Sequence, residues 1–392
     1  MKSRKYIWIQ AIISLVIFAA SFRLFYLQIV SPQPYISDTP LHLGFAVNGT
    51  GYSVLYDVLG WLIRISSPYD SFAVAALEAL AVVATVFVLK QALCRYSGLS
   101  EICSFGISVG CVFMSSLYVP ILQPYFYVHS LVTQPWHNTT YILMRLFAAV
   151  TIAGLNHSLS EYQSNFSLKN WLAISVPLTI ATMIKPNFLI GFSLALLLFL
   201  IYDAVANRFS LSSLIQCVKM GTTVFLSLIV LYIQSKMLYR AGSGSGIVIT
   251  LHTGFFALGI PGTVFKVIRS VLLPAIIVLY NIRTLEREEK FVVVQFMISF
   301  LLVVILRETG FRATHGNFYW GLFCSSFFLF AFLWAKLAGN YRSIKAKSTE
   351  ICLKDKLYLA VCVLLSIWHI VGGIVYFVIV SMGSLNATGF KF

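Results

Sequence analysis

The stretch that decides the fold is residues 6–29, YIWIQAIISLVIFAASFRLFYLQI, which follows the basic start Met1-Lys2-Ser3-Arg4-Lys5. An α-helix rises about 1.5 Å per residue, so about 20 apolar residues cross the ~30 Å hydrocarbon core of a bilayer. The run is longer than the roughly 7–15 apolar residues of a secretory signal peptide and holds Arg23 near its far end, so it predicts an uncleaved first span. Runs of the same character recur at 71–91, 101–121, 139–157, 170–184, 186–204, 215–236, 264–282, 291–307, 318–338 and 356–381. They predict about eleven transmembrane helices, or roughly ten to twelve because the pair around Lys185-Pro186 is short. The expectation is an all-α polytopic membrane bundle, with residues 1–392 forming a single integral domain.

Composition agrees. The 392 residues are 59% hydrophobic and only 10% charged, with a mean hydropathy of +0.87, whereas a soluble domain is typically about 25% charged. With the N-terminus in the cytoplasm, the inner loops hold Lys90, Arg95, Lys169, Arg208, Lys219, Arg283, Arg287 and Lys290. The last inner segment adds Lys336, Arg342, Lys345, Lys347, Lys354 and Lys356, as the positive-inside rule requires. The net charge of +15 is then topological, and nucleic acid is excluded as a partner because no soluble basic domain exists to carry it. An odd number of spans places residues 386–392 outside the inner (plasma) membrane. The seven cysteines fall in helices or inner loops with neither a disulfide framework nor zinc spacing. No internal repeat is evident.

The outer loops, near 30–70, 122–138, 237–263 and 308–317, gather Asp38, His42, His129, His137, His252, Glu308, Arg312 and His315. An anchor has no use for so many titratable groups on one face, so that face is the expected site of binding or reaction. In the first outer loop Val54, Leu55, Val58, Leu59, Leu62 and Ile63 recur at helical spacing opposite Asp57, Trp61 and Arg64, predicting an amphipathic helix in the membrane interface. Residues 241–246, Ala-Gly-Ser-Gly-Ser-Gly, read as a flexible hinge or lid. They lack the strand and the Gly-Lys-Ser/Thr ending of a phosphate loop.

Four segments carry residue types suited to chemistry. In Ser37-Asp38-Thr39-Pro40-Leu41-His42, the acid serves as proton acceptor or as the N-cap of a helix, and His42 shares its face if the segment is helical. In Gln134-Pro135-Trp136-His137-Asn138-Thr139-Thr140, His137 closes the second outer loop and Arg145 lies two turns into the next span. A guanidinium at that depth needs a partner: Glu78 or a lipid phosphate. Lys185 in Ile184-Lys185-Pro186-Asn187 snorkels to the headgroups or offers a point charge to a phosphate. Residues 307–321 combine Arg307, Glu308, Arg312, His315 and several glycines, read as helix-end anchors or as a substrate-binding segment. Lys266 and Arg269 are read as facing lipid phosphate, and His369 as a hydrogen-bonded core histidine.

The acid in a long first outer loop, the amphipathic helix after it, and the motifs Trp136-His137-Asn138-Thr139 and Lys185-Pro186-Asn187 resemble bacterial, polysaccharide-cluster membrane glycosyltransferases of the GT-C superfamily. The resemblance implies a polyprenyl-phosphate sugar donor, inversion in one displacement, and an acid acting on the acceptor, a role carried over to Asp38 alone. Many members place two acids close together in that loop. Here none follows Asp38 until Asp57, which argues against a metal. The expected function is transfer of a sugar to a glycan or lipid-linked acceptor on the outer face, without cofactor. Asp38 and His42 are then catalytic, with His137, Arg145, Lys185, Glu308, Arg312 and His315 binding substrate. The alternatives are an O-antigen or capsule repeat-unit polymerase and a lipid-linked oligosaccharide transporter or flippase.

Overall fold

The computed structural model describes residues 2–119, 121, 130–132, 134–239, 244–251, 254–314, 316–346 and 352–383. Its helices run α1 (Lys2–Val30), α2 (Thr39–Asn48), α3 (Val54–Ser66), α4 (Asp70–Ser97), α5 (Glu101–Phe113), α6 (Thr139–Leu159), α7 (Leu168–Ile184), α8 (Asn187–Ala206), α9 (Leu211–Gly221), α10 (Phe225–Leu238), α11 (Gly259–Tyr280), α12 (Arg287–Ile305), α13 (Asn317–Ala346) and α14 (Leu353–Ser381). Two short strands, β1 (Ile247–Ile249) and β2 (Leu306–Glu308), pair antiparallel.

Helix covers most of the length of each apolar run of the sequence, and a turn of 3-10 helix at Thr222–Val224 joins α9 to α10 as one rod. Eight of these helical stretches are long and apolar enough to cross a bilayer. The other three depart from a full span for separate reasons. The α5 helix has 13 residues and α7 has 17, while the 19 residues of α12 begin with Arg287, Glu288, Glu289 and Lys290. The protein is an all-α polytopic membrane bundle.

The run at 101–121 is the one expected span that is not a continuous helix. At 13 residues α5 is only about 20 Å long, and the chain then leaves the helix as a buried segment, residues 114–117. Irregular backbone inside a membrane protein is tolerable where protein groups satisfy it, and α14 and α11 do so. The Ser115 N–H donates to the His369 carbonyl at 3.1 Å and the Leu117 N–H to the Arg269 carbonyl at 3.0 Å. His369 Nδ1 donates to the Ser115 carbonyl, which gives that core histidine its partner. Gly373 makes the contact possible, since a Cβ there would lie 1.3 Å from the Phe113 oxygen.

The helices alternate in direction, so one end of the bundle collects the starts of α4, α6, α8, α11 and α13 with the ends of α1, α7, α10 and α12. The opposite end holds the basic loops, tied by Lys90 to Glu101 at 2.8 Å, Lys336 to Glu289 at 3.4 Å, and Arg287 to Asp203. At the first end lies the α2–α3 hairpin. Leu55, Tyr56, Leu59 and Gly60 of α3 are buried, in a helix that packs on α2 and α4. A Cβ at Gly60 would stand 2.7 Å from the Ala46 oxygen, so the two backbones touch. The sequence grouped Val54 and Val58 with the buried side. They instead join Trp61 and Ile65 on the exposed face, because the hairpin needs only a narrow stripe of α3. Two apolar faces suit a helix wedged between the bundle and the membrane interface.

Candidate active site

The site is built where α2, α6 and the α7–α8 junction meet. Asp38 stands at the start of α2, with Pro40 in its first turn, yet its side chain makes no cap hydrogen bond. Its N–H donates to the His137 carbonyl at 2.8 Å, and its carboxylate Oδ2 accepts from Asn138 Nδ2. Thr39 Oγ1 and Thr139 Oγ1 share a hydrogen bond of 3.0 Å beside it. The starts of α2 and α6 are thus stitched together, and the positive ends of two helix dipoles converge on the carboxylate.

Asn138 is the N-cap of α6, where an amide oxygen satisfies an otherwise unpaired helical N–H. Its Oδ1 accepts from the Tyr141 N–H at 2.8 Å and from Thr140 Oγ1 at 2.7 Å. The same oxygen receives Lys185 Nζ at 3.3 Å.

Lys185 is brought there by Pro186. Proline has no N–H to give to the carbonyl four residues back and disfavours a helical conformation in the residue before it. Accordingly α7 ends at Ile184, and Lys185 is extended, with φ −157° and ψ 117°. The carbonyls freed at the helix end find other donors. Gln234 Nε2 reaches Thr182 and Met183 at 3.0 and 3.1 Å, and Ser53 Oγ reaches Ile184 at 2.7 Å. The Lys185 side chain then turns inward. It is 4% exposed, donates to Thr140 Oγ1 at 3.0 Å and lies 4.4 Å over the Trp320 ring. Burial pulls its ammonium down to about 8, against the opposing pull of Asp38.

His42 and His137 flank this core, both buried. Burial lowers each imidazole to about 4, Asp38 raises it and Lys185 lowers it further, so both are neutral at physiological pH. His42 sits 5.7 Å from the Tyr56 ring and His137 5.8 Å from Trp320. Among the described residues His42 Nδ1 has no hydrogen-bond partner.

Glu308 and Arg312 form the far wall. The Glu308 carboxylate accepts from Arg312 Nε at 2.8 Å, Tyr239 Oη at 2.7 Å and Asn317 Nδ2. Pairing of Glu308 with Ile247 across the β1–β2 ribbon fixes its backbone. Asn187 Nδ2 donates to the Asn317 carbonyl at 2.7 Å and connects this wall to the start of α8. Both charges act on Lys185. Tyr52 lies between the two parts: burial raises its phenol to about 12, while Arg312, Glu308 and Asp38 all act on it.

The structure therefore brings together Asp38, His42, His137, Lys185, Glu308 and Arg312. Glu308 and Arg312 are committed to each other, whereas Lys185 contacts only neutral groups among the described residues. Arg145 stands apart, deeper in α6 and 1% exposed. It donates to Gln134 Oε1 at 2.9 Å and packs on the rings of Tyr141 and Phe327. Glu78, the partner considered for it, is fully buried, and no ion pair joins the two among the described residues. Lys266 and Arg269 are buried rather than facing headgroups, Lys266 donating to the Phe255 carbonyl at 2.6 Å. His315, His129 and His252 lie outside the described residues. Asn138, quoted from the sequence only as part of the Trp136-His137-Asn138-Thr139 motif, and Tyr52 and Tyr239 were not among the expected site residues.

No family model matches the sequence. No curated protein matches it either. Among solved structures, the crystal structure of ArnT from Cupriavidus metallidurans bound to undecaprenyl phosphate is similar over 98% of this chain and 74% of that chain, with 13% identity and a TM-score of 0.49. The crystal structure of ArnT from the same organism in the apo state is similar over 99% and 74%, with 12% identity and a TM-score of 0.45.

Proposed function

We propose that this protein is a membrane glycosyltransferase that moves a sugar from a polyprenyl-phosphate donor to a glycan or lipid-linked acceptor at the outer face of the plasma membrane. The observation that carries the reading is a carboxylate, Asp38, and a buried ammonium, Lys185, held by one amide at the end of the bundle away from the basic loops. Asp38 takes the proton of the acceptor hydroxyl as its oxygen bonds to the anomeric carbon. The bond from that carbon to the phosphate oxygen breaks on the opposite side, inverting the centre. The electron pair leaves with the polyprenyl phosphate, whose developing charge Lys185 compensates. The neutral His42, whose Nδ1 has no partner among the described residues, hydrogen-bonds the acceptor. His137 and Arg312 contact the substrate beside them, Glu308 holds Arg312 in place, and Arg145, deeper in α6, supports the fold around Gln134.

Transport is the less favoured reading. A transporter holds its substrate near the bilayer midplane between structural repeats, whereas Asp38, His42, His137 and Lys185 cluster at one end of the bundle, at the start of α2, the start of α6 and the α7–α8 junction. The test is turnover of radiolabelled undecaprenyl-phosphate sugars by the purified protein in nanodiscs, with candidate acceptors. Label bonded to the acceptor supports the transferase. Label that only crosses a proteoliposome uncleaved assigns a flippase, and whole repeat units added from a lipid diphosphate assign a polymerase.

A further inference from the structure

The geometry points to Asn138 as a positioning residue that keeps Asp38 and Lys185 from neutralising each other. Both charged groups contact the same side chain, the carboxylate at Nδ2 and the ammonium at Oδ1. No direct ion pair between them is present among the described residues. The amide cannot be reversed. Tyr141 N–H and the Lys185 ammonium are donors only and both address Oδ1, while an ionised carboxylate is an acceptor only and addresses Nδ2. Opposite charges a few ångströms apart in a poorly solvated site attract strongly and otherwise collapse into a contact pair. With the amide between them, the ammonium remains uncommitted for an incoming anion and the carboxylate keeps acceptor capacity for a hydroxyl. The capping bonds to Tyr141 and Thr140 anchor the spacer to α6. The inference rests on the proposed function only in the choice of lipid phosphate as probe.

Asn138→Ser preserves a good N-cap and removes Nδ2. The first measurement is a double-mutant cycle of Asp38→Asn and Lys185→Met on thermal unfolding in nanodiscs, run once in the wild-type background and once in the Asn138→Ser background. Coupling between the two sites should rise by on the order of 2 °C in the Asn138→Ser background, where the charges meet directly. Equal coupling in both backgrounds would overturn the inference. The second is binding of undecaprenyl phosphate. Asn138→Ser should weaken it about tenfold, and adding Asp38→Asn should restore it to within about threefold, because no carboxylate then competes for Lys185. A loss that Asp38→Asn leaves unrelieved marks Asn138 as a structural cap only. Asn138→Asp, which also caps, offers its own carboxylate to Lys185, so its loss should persist in the Asp38→Asn background. Wild-type protein that binds no undecaprenyl phosphate counts against the proposed function, while the thermal cycle still decides the role of Asn138.

Discussion

Lys185 is the residue whose chemistry is most open to experiment, because burial brings its ammonium down to about 8. The folded value lies below that of an unfolded lysine, so as pH rises from about 8 the native site sheds its proton first. Stability gains over that window while the site loses its charge. Affinity for undecaprenyl phosphate should therefore fall about tenfold per pH unit above pH ~8, and Lys185→Arg should flatten that limb. A wild-type affinity unchanged between pH 7 and 10 would remove Lys185 from the phosphate site. Chelator should leave transfer unaffected, since Asp57, the next acid after Asp38 in the loop, is exposed on α3. Activity lost in chelator and restored by a divalent ion would contradict this. At this scale the sequence revealed the charged members through their types and their loops. It presented Asn138 only as one member of a motif, because an uncharged amide shows no role until its neighbours Asp38 and Lys185 are known in three dimensions. Nor did it decide between cap and site for Asp38, because the choice depends on Asn138, a hundred residues away.

Among the elements, the helices follow from apolar runs of the right length, and the α7–α8 break follows from Pro186. The end of α5 does not. Residues 114–121, MSSLYVPI, are still apolar enough to extend a span, and what stops the helix is hydrogen bonding to His369 and Arg269 on distant helices. Hydropathy is blind to such nonlocal satisfaction. Gly373→Ala tests the arrangement: a methyl group 1.3 Å from the Phe113 oxygen has no space, so α14 must move away. The expected cost is on the order of 3 kcal/mol, measured by thermal or denaturant unfolding in detergent. An unfolding midpoint equal to wild type would show that the two elements do not meet there.

For the whole molecule, the separation of a basic end from a site end sets the orientation. On the proposed reading the positive-inside rule puts the site outside, where lipid-phosphate sugars are the donors to expect. In a cysteine-free background, a cysteine at exposed Thr50 should react with an impermeant thiol reagent added from outside, and one at exposed Ser343 only after permeabilisation. The reverse pattern would put the site in the cytoplasm and favour nucleotide-sugar donors. The central claim, that Asp38 removes the acceptor proton during glycosyl transfer, is tested most directly by single-turnover transfer from a radiolabelled undecaprenyl-phosphate sugar with wild-type protein and Asp38→Asn. Loss of general-base catalysis predicts a rate lower by about 10²–10⁴-fold, with binding of undecaprenyl phosphate retained. A folded Asp38→Asn protein that transfers sugar at the wild-type rate would contradict it.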